Sequence, residues 1–208
     1  MILQQSYLCF CISKITLDPP VIYRTPRDSG LPLTIFTQGC DFNCFYCPVP
    51  QLIPKCDHPI ISTERIFQIL SSSKFISQLF IIGGEPTLQH CLLEFCGCVK
   101  SISQKIYITL VTIGTRPSVL QELIQSKYID CIVLSLKMPL IKEKYEEFTR
   151  TKVEISHIST TIELLKNATT IDTRFITTQT PLHTPQDIEQ MKSLVRDLEV
   201  YPLPELLV

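Results

Sequence analysis

Phe80-Ile81-Ile82-Gly83-Gly84-Glu85-Pro86-Thr87-Leu88-Gln89 reads as a buried strand, a tight turn and the start of a helix. A short apolar run stopped by paired glycines has the pattern of a strand in the middle of a sheet. Pro86 suits a first helical position, where its missing N–H would have had no partner anyway. Helical periodicity then resumes from Leu88 to Val99. A single strand-turn-helix unit does not decide a fold, but its repetition does. Upstream, Leu33 to Thr37 is an apolar, β-rich stretch ending in Gln38-Gly39, and Thr63 to Leu70 is a helix introduced by Ser62 at its cap.

Downstream the alternation continues. A strand at Ile106 to Val111 precedes a helix at Pro117 to Gln125, and a strand at Cys131 to Leu136 precedes helices within Lys142 to Phe148 and Ser156 to Asn167. A strand at Thr173 to Thr178 leads to a helix from Pro185 to about Leu198, with Thr184 at its cap. Strands and helices alternating at these lengths imply an α/β fold of parallel strands with right-handed crossovers, either a barrel or an open sheet. The pattern predicts five strands. A sixth at Glu199 to Leu203 is limited by Pro202 and Pro204. Residues 1–32 read as an N-terminal extension and residues 33–208 as one core domain. In such folds ligands gather at the carboxyl ends of the strands, which is where both chemically unusual segments of this chain lie.

Composition narrows the function classes. The chain has 208 residues, 45% of them hydrophobic, enough to bury a substantial single core. A net charge of -1 with mixed signs gives no basic face for nucleic acid and no polybasic segment for a membrane surface. The apolar residues around Leu8 to Ile12 lack a basic leader and a cleavage site, and no run approaches the roughly 20 residues of a membrane-spanning helix. A cytoplasmic protein is expected. Ten cysteines in such a chain point to metal binding, catalysis or buried thiols rather than a disulfide framework.

Cys40-Asp41-Phe42-Asn43-Cys44-Phe45-Tyr46-Cys47 places three thiols within one polar loop. Thiolates are soft ligands that suit iron–sulfur clusters or zinc. A closed zinc site needs a fourth ligand, which Cys56 or His58 offers. In the Gly83-Gly84-Glu85-Pro86 turn, glycines allow close backbone approach and Glu85 offers a carboxylate to an ammonium group, although an ordinary strand-to-helix turn reads the same way.

Together, the Cys-x3-Cys-x2-Cys spacing with Tyr46 before the last cysteine, and the Gly-Gly-Glu-Pro turn one β/α unit later, resemble the signature of the radical S-adenosylmethionine superfamily. The resemblance implies a partial (β/α)6-type barrel of five to six parallel strands with outer helices. It implies a [4Fe-4S] cluster on Cys40, Cys44 and Cys47, with the fourth iron left to S-adenosylmethionine. Tyr46, Gly83, Gly84, Glu85 and Pro86 match the motif positions around that ligand, the turn contacting its methionyl amino group.

Gly83 to Gln89, Pro117 to Leu123, Lys144-Tyr-Glu-Glu-Phe-Thr149 and Ile162-Glu-Leu-Leu-Lys-Asn167 further resemble the glycyl radical enzyme activases, above all the activating proteins of anaerobic ribonucleoside-triphosphate reductases. In that group an electron from reduced flavodoxin or ferredoxin splits the sulfonium, and the 5′-deoxyadenosyl radical removes a hydrogen from a glycine of the partner enzyme. Other functions consistent with the motifs are a small-molecule radical enzyme resembling 7-carboxy-7-deazaguanine synthase, and a non-catalytic zinc or iron–sulfur scaffold.

The chain departs from the activase pattern at three places. Val111-Thr112-Ile113-Gly114 stands for Asp-Thr-Asn-Gly, keeping Thr112. Ser135-Leu136-Lys137 stands for Asp-x-Lys, keeping Lys137 and replacing the carboxylate by Ser135. In relatives those two aspartates help bind a monovalent cation, so that site is expected to be absent and Lys137 to meet the ligand carboxylate directly. The family arginine falls at Ile176, and Arg174, on the same face two residues earlier, is its candidate replacement. His183 reads as a surface-loop residue outside the site. Cys91, Cys96 and Cys98 fall on one helix and read as thiols rather than a second cluster. Cys9, Cys11, Cys56 and Cys131 show no interpretable spacing.

Overall fold

The structure, a computed structural model, describes residues 12–16, 30–54, 61–195 and 197–203. One seven-stranded sheet runs in chain order: β1 (Ile12–Thr16), β2 (Leu31–Thr37), β3 (Ile76–Gly83), β4 (Tyr107–Thr112), β5 (Cys131–Ser135), β6 (Asp172–Gln179) and β7 (Glu199–Pro202). The strands from β2 to β7 are parallel, and β1 pairs antiparallel with β2 at one edge. The helices are α1 (Thr63–Ser72), α2 (Leu92–Ile102), α3 (Pro117–Ser126), α4 (Lys142–Thr149), α5 (Ile155–Lys166) and α6 (Pro185–Leu194). This is the partial α/β barrel architecture with outer helices, built from six parallel strands in an open sheet.

Apolar alternation along each strand produces two cores. Ile35, Leu79, Ile81, Ile108, Leu110, Ile132 and Leu134 face the helices, where they meet Leu70, Phe95, Leu123, Tyr145, Ile162 and Met191. The opposite face carries a second cluster, Phe80, Ile82, Val111, Cys131, Val133 and Ile176, composed of strand residues only. Period-two alternation sends neighbouring residues to opposite faces, so both faces of the central strands are apolar, as in other buried parallel sheets.

The sixth of the five to six expected parallel strands forms at Glu199–Pro202. Pro202 is the last residue of β7, at the sheet edge, where its lack of an N–H is tolerated. The structure differs from the sequence expectation at several boundaries, beginning with a short strand, β1, within the segment before Leu33. Helix α2 starts at Leu92 rather than Leu88, because Pro86–Leu88 form a 3-10 turn in which the Glu85 side chain accepts from Thr87 N. Helix α6 ends at Leu194 rather than about Leu198; Val195 is already extended and Asp197 adopts a left-handed φ of 54°, turning the chain into β7. Among the described residues, no helix is long and apolar enough to cross a membrane.

Candidate functional site

The loops that follow β2, β3, β4, β5 and β6 share the carboxyl edge of the sheet. The cysteine loop is pinned there by its own backbone. Gly39 N donates to Leu52 O at 2.8 Å, Cys40 N to Ile53 O at 3.1 Å, Asn43 N to Thr149 O at 2.9 Å and Phe45 N to Phe148 O at 3.1 Å. Its one carboxylate, Asp41, is held by the Arg116 guanidinium through both oxygens and by the Thr115 hydroxyl at 2.8 Å. That fork-to-fork contact ties the cysteine loop to the loop after β4. Phe42 is buried with its ring edge-on to Tyr145, 6.1 Å between centroids, whereas Phe45 is 54% exposed beneath the Arg150 guanidinium.

Cys40, Cys44 and Cys47 are free and half-buried. Burial pushes the Cys40 thiol up to about 12; the Glu85 carboxylate adds to the rise and the Lys137 ammonium opposes it. Burial likewise raises Cys44, with Lys137 again opposing. Lys137 therefore stands beside the thiols as a positive charge. Its Nζ donates to Ser135 Oγ at 2.8 Å.

The donor set fits an iron–sulfur cluster, with three soft, free thiols on one anchored loop and a cation beside them. Among the described residues no three His, Cys, Asp or Glu side chains converge on a single ion. A [4Fe-4S] cluster makes no such demand, because each thiolate takes a different iron. Cys56 and His58, the candidate fourth zinc ligands, lie outside the described residues, as do Cys9 and Cys11.

The glycine turn is built against the cysteine loop. Gly84 N donates to Thr37 O at 3.0 Å and Glu85 N to Gly39 O at 2.7 Å. A Cβ on Gly83 would lie 2.3 Å from Thr37 O, and one on Gly84 would lie 2.1 Å from Gly39 O. The space freed by these glycines is thus filled by the protein's own backbone, and it is this close approach that brings the two motifs together.

Glu85 is fully enclosed. Its carboxylate accepts from Thr87 N at 3.0 Å, the Thr87 hydroxyl at 2.5 Å, the Thr112 hydroxyl at 2.7 Å and Ile113 N at 2.8 Å. Burial raises its pKa and these four donors pull it back. Instead of standing free for an ammonium group, the carboxylate clamps the turn after β3 to the end of β4. Thr112 serves the same clamp and also accepts from Gly114 N at 3.1 Å. Pro86 is buried at the start of the 3-10 turn, and Tyr46 packs half-buried against Phe45, 5.0 Å between rings.

Arg174 lies on the strand face away from the helices, paired in register with Val133, and its guanidinium binds Glu199 of β7 at 2.6 and 2.7 Å. That pairing, with Glu199 accepting its hydrogen bonds, raises the pKa of Arg174. Its charge is matched by Glu199 on the neighbouring strand. His183 corrects the sequence reading. It is 7% exposed, because the loop after β6 folds its ring back onto Thr180 and onto Lys137 O at 2.8 Å. Cys91 is in a disulfide rather than free, while Cys96 is buried and Cys98 half-buried, both as thiols.

Sequence reasoning missed Arg116, Tyr145 and His183 as parts of this edge. For Arg116 the signal was Asp41, a lone carboxylate between two cysteines that needs a cation. Tyr145 lies on α4 and His183 on the loop after β6, and no local pattern at either position shows that it meets the main chain of Lys137.

Comparison with known proteins agrees with this geometry. A 29% identical protein of Methanocaldococcus jannaschii, named "Putative glycyl-radical enzyme activating enzyme", aligns over 82% of this chain and 71% of its own length. A second protein of that name from the same organism is 31% identical over 64% of this chain and 49% of its own. The fold is shared with anSMEcpe, solved with bound AdoMet, at a TM-score of 0.58 and 20% identity over 80% of this chain and 49% of that one. The radical SAM superfamily profile matches residues 34–198, so the chain belongs to the radical SAM superfamily.

Proposed function

We propose that this radical SAM enzyme is a glycyl radical enzyme activase whose partner is an anaerobic ribonucleoside-triphosphate reductase, with a reduced flavodoxin or ferredoxin as electron donor. The observation that carries the reading is the meeting of three free thiols, the Lys137 ammonium and the glycine turn on one edge of the sheet. With a [4Fe-4S] cluster and S-adenosylmethionine bound, the chemistry supplied is one-electron cleavage to methionine and a 5′-deoxyadenosyl radical.

The chain's own residues then have distinct tasks. Cys40, Cys44 and Cys47 hold the cluster, and their loop is kept in place by Asp41 and Arg116. Lys137, with Ser135 as its hydroxyl neighbour, receives the ligand's carboxylate, since no carboxylate reaches its Nζ among the described residues. The main chain of the Gly83-Gly84 turn would take the amino group, because Glu85 is already spent on Thr87, Thr112 and Ile113. The sheet is open, and the face on which no helix packs among the described residues offers an approach for a glycyl loop of a macromolecular partner. The similarity to proteins named as activating enzymes supports this choice of substrate over a small molecule.

The test is anaerobic reconstitution followed by incubation with dithionite, S-adenosylmethionine and the candidate reductase. About four irons per chain, 5′-deoxyadenosine and a glycyl doublet in electron paramagnetic resonance are expected. Cleavage with no doublet on any glycyl radical enzyme of the same genome would reject the activase, and zinc alone would reject the enzyme.

A further inference from the structure

Lys137 stands on the loop between β5 and α4, and a loop cation points reliably only if its backbone is fixed. Two side chains fix it. Lys137 N–H donates to Tyr145 Oη at 3.1 Å, and Lys137 C=O lies 2.8 Å from His183 Nε2. The other ring nitrogen, Nδ1, is 3.1 Å from Thr180 N and 2.9 Å from the Thr180 hydroxyl, which itself accepts from Leu182 N. A backbone N–H can only donate, so Nδ1 must carry a lone pair. The ring's proton then sits on Nε2 and is given to Lys137 O.

The same ring lies edge-on to Phe148 at 5.4 Å, and Phe148 O accepts from Phe45 N in the cysteine loop. One imidazole therefore touches the loop bearing the cation and, through Phe148, the loop bearing the thiols. The charged groups around it are Lys137 and Asp187, the latter ion-paired with Lys144 at 2.5 Å.

We infer that His183 is a positioning residue. As the neutral Nε2–H tautomer it holds the Lys137 peptide so that the ammonium meets the carboxylate of S-adenosylmethionine at a fixed place. This rests on the reading of Lys137 given above. Protonation would put a second N–H against the Thr180 N–H, two donors facing each other, and turn the ring out of register.

Two near-isosteric variants separate the ring's roles. Gln in place of His183 keeps a donor near Nε2 and loses the acceptor for Thr180. Asn keeps an acceptor near Nδ1 and loses the donor to Lys137 O. S-adenosylmethionine affinity would be measured by equilibrium binding on the reconstituted wild type, His183→Gln and His183→Asn at pH 8, with thermal melting as the control for folding.

The expected result is that Gln stays within about twofold of wild type while Asn weakens binding about tenfold, the scale of one well-placed hydrogen bond. Long-range proton–nitrogen spectra of the cluster-free protein should show His183 protonated at Nε2 and bare at Nδ1. The opposite tautomer, or folded Asn and wild-type proteins of equal affinity, overturns the role of His183 alone. A wild type that holds iron and binds no S-adenosylmethionine overturns the site reading together with it.

Discussion

At the scale of single residues, the site depends on atoms that cannot be exchanged for similar ones. Cys44→Ala should abolish both iron retention and 5′-deoxyadenosine formation, checked by iron analysis and product chromatography after reconstitution. Gly84→Ala places a methyl 2.1 Å from the Gly39 carbonyl, backbone against backbone, so neither side can rotate away. The variant is expected to lose about 1–3 kcal/mol of stability by overpacking, measured by chemical denaturation of the cluster-free protein. His183 carries a pH signature of its own. Burial lowers its pKa below the ordinary 6.5, so the unfolded chain binds this proton more readily than the folded one. Its contribution to stability is complete above about pH 6.5 and is lost as pH falls toward the lowered value. Melting temperature should therefore fall from pH 7.5 to pH 5.5 more steeply for wild type than for His183→Gln, in which that titration is removed.

At the scale of elements, two joints set how the strands and loops meet. One is the Asp41–Arg116 fork, which fastens the cysteine loop to the start of α3. Arg116→Met removes the fork and leaves the Asp41 carboxylate with the Thr115 hydroxyl, so iron should be lost faster to a chelator, with little change in secondary structure by circular dichroism. The other is below the sheet, where Lys100 of α2, 4% exposed, donates to Asp130 at 2.6 Å and to Ile106 O at 2.7 Å, and Asp130 also accepts from Ile108 N. Asp130→Ala leaves the ammonium buried with one carbonyl and should cost about 2 kcal/mol, reduced from the usual cost of breaking a buried pair because Asp130 is partly exposed. Denaturant midpoints of Asp130→Ala and Lys100→Met decide this, since the second leaves only the partly exposed Asp130 carboxylate, still bonded to Ile108 N, and should be the milder change.

At the scale of the whole molecule, strand order and site depend on different kinds of information. Period-two apolar runs alternating with capped, period-3.6 segments determined the parallel α/β fold, because each pattern can bury its apolar side only against the other. The sixth strand was harder to read, since Pro202 is permitted at an edge, and strand position along a sheet is a tertiary property. Local spacing also marked out the cysteine loop and the glycine turn, whose chemistry is contained within a few residues of chain. What spacing conveyed poorly was what those residues face. Gly83 and Gly84 read as room for a ligand and instead admit Thr37 and Gly39. Glu85 read as a free carboxylate and is taken by donors from Thr87, Thr112 and Ile113. Arg174 read as a candidate for the site and is matched by Glu199 on a strand 25 residues later. His183 read as surface and lies against Lys137, 46 residues earlier. Sequence by itself therefore determined the alternating strands and helices from β2 onward and the presence of soft ligands, which follow from local backbone preference and residue type. Only the tertiary structure decided the partners of the site's polar groups, because burial makes an unpaired donor or acceptor costly and the groups that pair them come from distant parts of the chain.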